Sequence, residues 1–111
     1  LHRGAFLGLV KRAGAMVGNS SAGLIEAAAV RAGGVMAVNI GPRQAGRERA
    51  GNVIDCDPTV LAVREALDKA LGQSRKRLRH PYGSGCTGER IARMLAALDF
   101  GKLPVHKRNA Y

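Results

Sequence analysis

Tryptophan is absent from this chain of 111 residues, and Phe6, Phe100, Tyr82 and Tyr111 are its only aromatic residues. So few rings leave no stacking platform for single-stranded nucleic acid. Cysteine is nearly as scarce. Cys56 and Cys86 stand far apart, with neither a C-x-x-C pair nor a neighbouring histidine cluster. That spacing suggests neither a zinc site nor a disulfide framework, and two ordinary free thiols of a reducing compartment are expected. No apolar run approaches the roughly 18 to 20 residues of a membrane span, and the N-terminal residues lack the apolar core of a signal peptide. Neither a metal, a cofactor nor a membrane is expected, and the cytoplasm is the expected compartment.

Acidic residues are also few, 8 against 18 lysines and arginines, for a formal charge of +10. Such an excess favours anionic partners, whether nucleic acid, phosphorylated small molecules or anionic lipid. Much of it lies in SRKRLRH (74–80). That run follows a helical segment, where basic side chains complement the helix dipole, and a solvated charged turn accounts for it better than a nucleic-acid patch does. His2, His80 and His106 are scattered, with no serine, cysteine or carboxylate spaced to make a nucleophile and base pair.

What is present is an alternation. Residues 3–13 place Phe6, Leu7, Leu9, Val10 and Ala13 at helical spacing, ending near Gly14. AMVG (15–18) is a short apolar run with the character of a strand covered on both faces. AGLIEAAAVRA (22–32) reads as a helix ended by Gly33 and Gly34, and VMAVNI (35–40) as the next buried strand. The polar loop GPRQAGRERAGN (41–52) precedes a brief strand at NVID. Asp57 or Thr59, with Pro58, then opens a helix over PTVLAVREALDKALG, whose inner side would be Leu61, Val63, Leu67 and Leu71. ERIARMLAALDF (89–100) forms a last amphipathic helix, and the tail has no usable period. Helices alternating with apolar strands mark an α/β fold with an open parallel sheet. Three strands are fewer than the five or six common in a doubly wound domain, so the remaining strands are expected upstream of Leu1.

Ligands of such sheets bind beyond the carboxyl ends of the strands. Ser20 and Ser21 fall on that edge, where small side chains let a phosphate approach backbone N–H groups. Asn19 or Ser20 serving only as a helix N-cap is the plainer alternative. Glu26 stands in an Ala-rich helix close to the same end, where a carboxylate can accept two ribose hydroxyls; a solvated surface glutamate is the alternative. Arg43, with Arg47 behind it, leaves the next strand at the same edge, and a guanidinium fork suits phosphate oxygens. Arg49 is expected to be solvated.

FLGLVKRAGAMVGNSSAGLIEA, NIGPRQAGRERAGNVID and HPYGSG…ERI, in that order, closely resemble the C-terminal part of UDP-N-acetylglucosamine 2-epimerases, and the G-N-S-S-x-G and N-I-G-x-R-Q-x-G-R forms look more like the hydrolysing branch. The resemblance implies two facing Rossmann-like domains in the glycosyltransferase B-type arrangement. Residues 1–111 would be part of the C-terminal, nucleotide-sugar-binding domain. It implies that Ser20 and Ser21 bind the diphosphate, Glu26 the ribose, and Arg43 the nucleotide or phosphate region. Gly23 of the same motif and Arg47 complete the expected UDP site. The family's acidic catalytic residues and functional histidine would lie upstream of Leu1, so no catalytic residue is assigned. The implied reaction removes the proton at sugar C2 and eliminates UDP to a 2-acetamidoglucal, to which water adds to give N-acetylmannosamine. The expected partners are a UDP-sugar and, for the full protein, a second copy in a homodimer, with no nucleic acid. A small basic nucleic-acid-binding module is the competing expectation.

Overall fold

The computed structural model describes residues 1–73, 81 and 85–102. The expected features at SRKRLRH (74–80), at residues 82–84 and in the tail from 103 onwards lie outside these residues.

Helix α1 spans Arg3–Arg12. Its start is set by His2, whose ring Nδ1 accepts from the Gly4 N–H at 3.2 Å. Lys11 and Arg12 close it with positive charge at the carbonyl end. Strand β1 (Ala15–Gly18) pairs in parallel with β2 (Met36–Ile40), and β2 with β3 (Val53–Cys56), in the order β1-β2-β3. This is the parallel α/β sheet of a Rossmann-like unit, as the alternation of elements implied.

Strand β2 is central, and its Ala37, Val38 and Asn39 are buried. Burying a side chain such as Val38 contributes about 2 kcal/mol. Alternate residues supply two cores. On one face Met16 packs with Phe6 and Val10 of α1 and with Ala13 just beyond it, around a cluster of Val10, Ala27 and Val35 joined by Val30. On the other, Ala15, Met36, Val38, Ile40, Ile54 and Cys56 meet helix α3 (Val60–Gly72) through Ala66, Leu67 and Ala70.

Three expectations change. Strand β1 packs on both faces, Met16 on one and Ala15 on the other, but its cover is incomplete, and Val17 is 45% exposed. The inner side of α3 consists of Ala66 and Ala70 flanked by Leu67, whereas Leu61 and Leu71 point outward. Small residues there let the helix axis approach the strands, which larger ones at the same positions would prevent.

The third change bears on the site. The helix expected over 22–32 is a 3-10 turn, Ser21–Gly23, followed by one short helix, α2 (Glu26–Ala29). The Val35 N–H takes the Ala27 carbonyl at 2.6 Å, the acceptor that a continuing helix would have offered to residue 31. Gly33 and Gly34, with φ of 85° and 61°, then turn the chain back into β2.

Helix α3 starts at the Thr59 hydroxyl, which accepts from the Ala62 N–H at 3.2 Å. Helix α4 (Thr87–Ala97) carries an i,i+4 ion pair between Arg93 and Glu89 and buries no residue.

Candidate functional site

Two chain segments meet at the carboxyl edge of the sheet. The first is the corner after β1, residues 18–23. Gly18 has φ 146°, and the chain leaves the strand there for the Ser21–Gly23 turn. Ser20 caps this turn by accepting from the Ala22 N–H through its hydroxyl at 3.3 Å. The N-cap alternative is therefore correct as far as it goes. A hydroxyl that accepts from the backbone still has its proton to donate, so capping leaves Ser20 able to bind an anion. Ser21 is half-buried as the first residue of the turn, where its N–H has no intrahelical partner. With α2 so short, these individual donors replace the dipole of a long helix.

Gly23 sets how close the corner lies to the sheet. It is buried, and a methyl group placed on it would stand 3.1 Å from the Ala37 Cβ. A narrow cleft lined by Met16, Gly18, Ser20, Gly23, Leu24 and Asn39 runs under the corner.

The second segment is the loop after β2. Gly41, at φ 72°, opens the turn Pro42–Gln44 and aims it back at the corner. Arg43 Nη1 lies 3.5 Å from the Asn19 carbonyl and 3.4 Å from its Oδ1. These are long bonds from an exposed guanidinium, which can turn to a better acceptor at little cost. The structure thus brings Arg43 to the serine corner. Arg47 is exposed, and its side chain makes no hydrogen bond or ion pair among the described residues.

Glu26 is the first residue of α2 and half-buried, and its carboxylate has no protein partner among the described residues. Arg49 departs from expectation. It is partly buried, pairs with Asp55 at 3.3 Å and reaches the Gln44 carbonyl at 3.5 Å. Asp55 also accepts from the Asn39 side chain at 2.7 Å, so Arg49 ties the loop to β3 rather than facing solvent.

Two amides had no role in the sequence reading. Gln44, 4% exposed, donates from Nε2 to the Asn19 carbonyl at 2.8 Å. Asn52, with no exposed surface, donates from Nδ2 to the carbonyls of Gly23 and Val35, both at 2.9 Å. The available signal was their place inside a quoted motif, as uncharged polar residues beside loop glycines.

Cys56 is half-buried beneath this edge, and its thiol is pushed above the ordinary value by burial, then by the carboxylates of Asp57 and Asp55. No group of acidic, histidine or cysteine side chains among the described residues could hold a metal ion. The arrangement as a whole offers hydroxyl, backbone and guanidinium donors, with the Glu26 carboxylate, unpartnered among the described residues, heading the next helix. It can hold an anion and a pair of hydroxyls.

The family described as UDP-N-acetylglucosamine 2-epimerase matches residues 1–96. The chain is 39% identical over its whole length to the UDP-N,N'-diacetylbacillosamine 2-epimerase (hydrolyzing) of Legionella pneumophila, of which it covers 29%. It is 44% identical over 50 residues, 45% of its length, to the polysialic acid biosynthesis protein P7 of Escherichia coli, of which it covers 12%. The chain therefore spans less than a third of the length of the curated relatives it matches.

Proposed function

The chain belongs to the UDP-N-acetylglucosamine 2-epimerase family, and on that footing we propose that it is the UDP-holding, C-terminal portion of a hydrolysing nucleotide-sugar 2-epimerase. The observation that carries this reading is the meeting of Arg43 with Asn19 at the entry to the Ser20–Ser21 corner, ahead of the Glu26 carboxylate, which heads α2 and has no protein partner among the described residues. Ser20 and Ser21 donate to the diphosphate through hydroxyl and backbone, and Arg43 supplies the cation. Glu26 accepts from the ribose hydroxyls, charged hydrogen bonds that contribute roughly 1.5 to 3 kcal/mol each. Arg47 provides a second positive charge at the mouth of the site, and Gly23 keeps the corner low against the sheet.

In a 2-epimerase of the hydrolysing kind UDP is the leaving group. Donors fixed around its diphosphate then stabilise the charge that develops as the bond to the sugar breaks, so the same contacts serve binding and rate. Water adds to the resulting glycal to give the free 2-epimeric amino sugar. The Legionella relative, whose name specifies a diacetylated bacillosamine substrate, supports both the hydrolysing outcome and an acetamido sugar. The groups that move the C2 proton belong to the other domain of the two-domain arrangement, and the working enzyme is a cytoplasmic dimer. The nucleic-acid alternative rests on net charge and on residues 74–80, and the family match lends it nothing.

Calorimetric titration of UDP into the full-length protein tests the reading. Glu26→Ala and Arg43→Ala should each weaken UDP by roughly tenfold or more, the loss of one charged hydrogen-bonding partner. Unchanged affinity in Glu26→Ala would sink it.

A further inference from the structure

The serine corner has an unusual support. It is not the start of a long helix, and its own turn closes locally, with Gly23 donating to the Ser20 carbonyl, Leu24 and Ile25 to the Ser21 carbonyl, and Ala22 to the Ser20 hydroxyl. What fixes its two ends comes from the following loop. Gln44 holds the Asn19 carbonyl at the entry, and Asn52 holds the Gly23 carbonyl at the exit, across sequence separations of 25 and 29 residues.

The two amides do different work. Asn52 divides its donors between Gly23 and Val35, so it ties the corner to the strand entry and belongs to the core. The Gln44 bond to Asn19 is its side chain's only hydrogen bond among the described residues, and that carbonyl directly precedes Ser20. Its Oε1 is buried without a protein partner. A buried amide that leaves its acceptor unsatisfied pays a desolvation cost, which the bond to Asn19 has to offset. Facing a carbonyl, only the NH2 end of the amide fits, so the orientation of Gln44 is set by its partner.

Gln44 is also adjacent to Arg43, and both sit on one 3-10 turn. Fixing Gln44 against Asn19 therefore fixes the spacing between the Arg43 backbone and the Ser20 hydroxyl. We propose that Gln44 is a positioning residue of the nucleotide subsite: its amide donates to the Asn19 carbonyl and so holds Ser20 and Ser21 at a set distance from Arg43 before ligand arrives. This rests on the UDP reading given above. Because the corner is ordered in advance, the ligand does not bear the entropy of ordering it.

The test uses the full-length protein, Gln44→Met, which keeps the length but loses the donor, and Gln44→Glu, which keeps the shape but turns an oxygen toward the carbonyl. Two readouts are taken: UDP affinity by calorimetry, and hydrogen exchange of the ligand-free protein over residues 19–24. Gln44→Met should weaken UDP roughly tenfold and speed exchange over 19–24 while leaving β2 and α3 protected; Gln44→Glu should weaken UDP further. A purely structural residue would instead lower protection across the sheet and leave the affinity of the folded fraction unchanged. Wild-type affinity in both variants, with Glu26→Ala still weakened, would overturn the positioning role and keep the UDP site. Unchanged exchange over 19–24 would overturn the clamp whatever UDP does. No UDP binding by the wild type would overturn the nucleotide reading itself, reducing Gln44 to a loop anchor.

Discussion

Arg31 donates from Nη1 to the carbonyl of Lys11 at 2.9 Å, joining the segment after α2 to the end of α1. Its Nη2 reaches the Ala13 carbonyl at 3.3 Å and its Nε the Gly34 carbonyl at 2.8 Å. One half-buried guanidinium thus satisfies carbonyls from two neighbouring backbone segments, just where α1 runs out of intrahelical donors.

Replacing Arg31 with lysine should therefore not be conservative. The ammonium lacks the planar fork and cannot meet three carbonyls in these directions. We expect Arg31→Lys to lose about 2 kcal/mol of stability in urea unfolding, with the loss of charged hydrogen bonds as its source. An unchanged midpoint would show that solvent replaces these bonds at no cost.

Gly23 offers a test by compensation. In Gly23→Ala the new methyl would stand 3.1 Å from the Ala37 Cβ, so the corner must lift by a few tenths of an ångström. UDP affinity should fall several-fold, with a stability loss of about 1 kcal/mol. Adding Ala37→Gly removes the opposing methyl. The double variant should recover UDP affinity while staying less stable, since glycine in a strand is unfavourable. Failure to recover would place the effect elsewhere than in this contact.

The two thiols should separate by reactivity. Burial and the carboxylates of Asp57 and Asp55 raise the Cys56 thiol, so at a given pH less of it is the reactive thiolate, and the reaction has to wait for a higher pH. Cys86 is exposed. Iodoacetamide at pH 8 should modify Cys86 first, and the rate at Cys56 should keep climbing as pH is raised further. Mass spectrometry of the digested protein reads both sites. Equal rates at pH 8 would contradict the local environment described for Cys56.

The strands were legible in the sequence because each is a short apolar run stopped by a turn residue: 15–18 agrees residue for residue, and β2 and β3 to within one. Helix α3 was legible from Thr59 and Pro58. Of its inner side only Leu67 was, because Ala66 and Ala70 carry little hydropathy and face inward for their size, while Leu61 and Leu71 carry much and face out. The broken helix over 22–32 escaped for a related reason. Alanine and leucine favour helix locally, but the Val35 N–H competes for the Ala27 carbonyl, and a contact between distant residues decides the outcome.

The candidate site divides in the same way. Hydroxyls and charges announce themselves, and the structure places Arg43 against Asn19, the residue before Ser20. Gln44, Asn52 and the Arg49–Asp55 pair act on backbone or on each other, and only the folded arrangement reveals their partners.

The connection from β2 to β3 carries a last consequence. Parallel neighbours are commonly joined through a helix that can form early by itself. Here the joining residues, 41–52, hold only the Pro42–Gln44 turn, and their anchors, Asn19 and Gly23, lie in the corner that opens the β1-to-β2 crossover. With so little local structure, closing this loop carries an entropic cost that its distant anchors have to offset. The two crossovers are therefore mechanically one unit: slack at either anchor, Gln44 with Asn19 or Asn52 with Gly23, would be felt in both connections of the sheet.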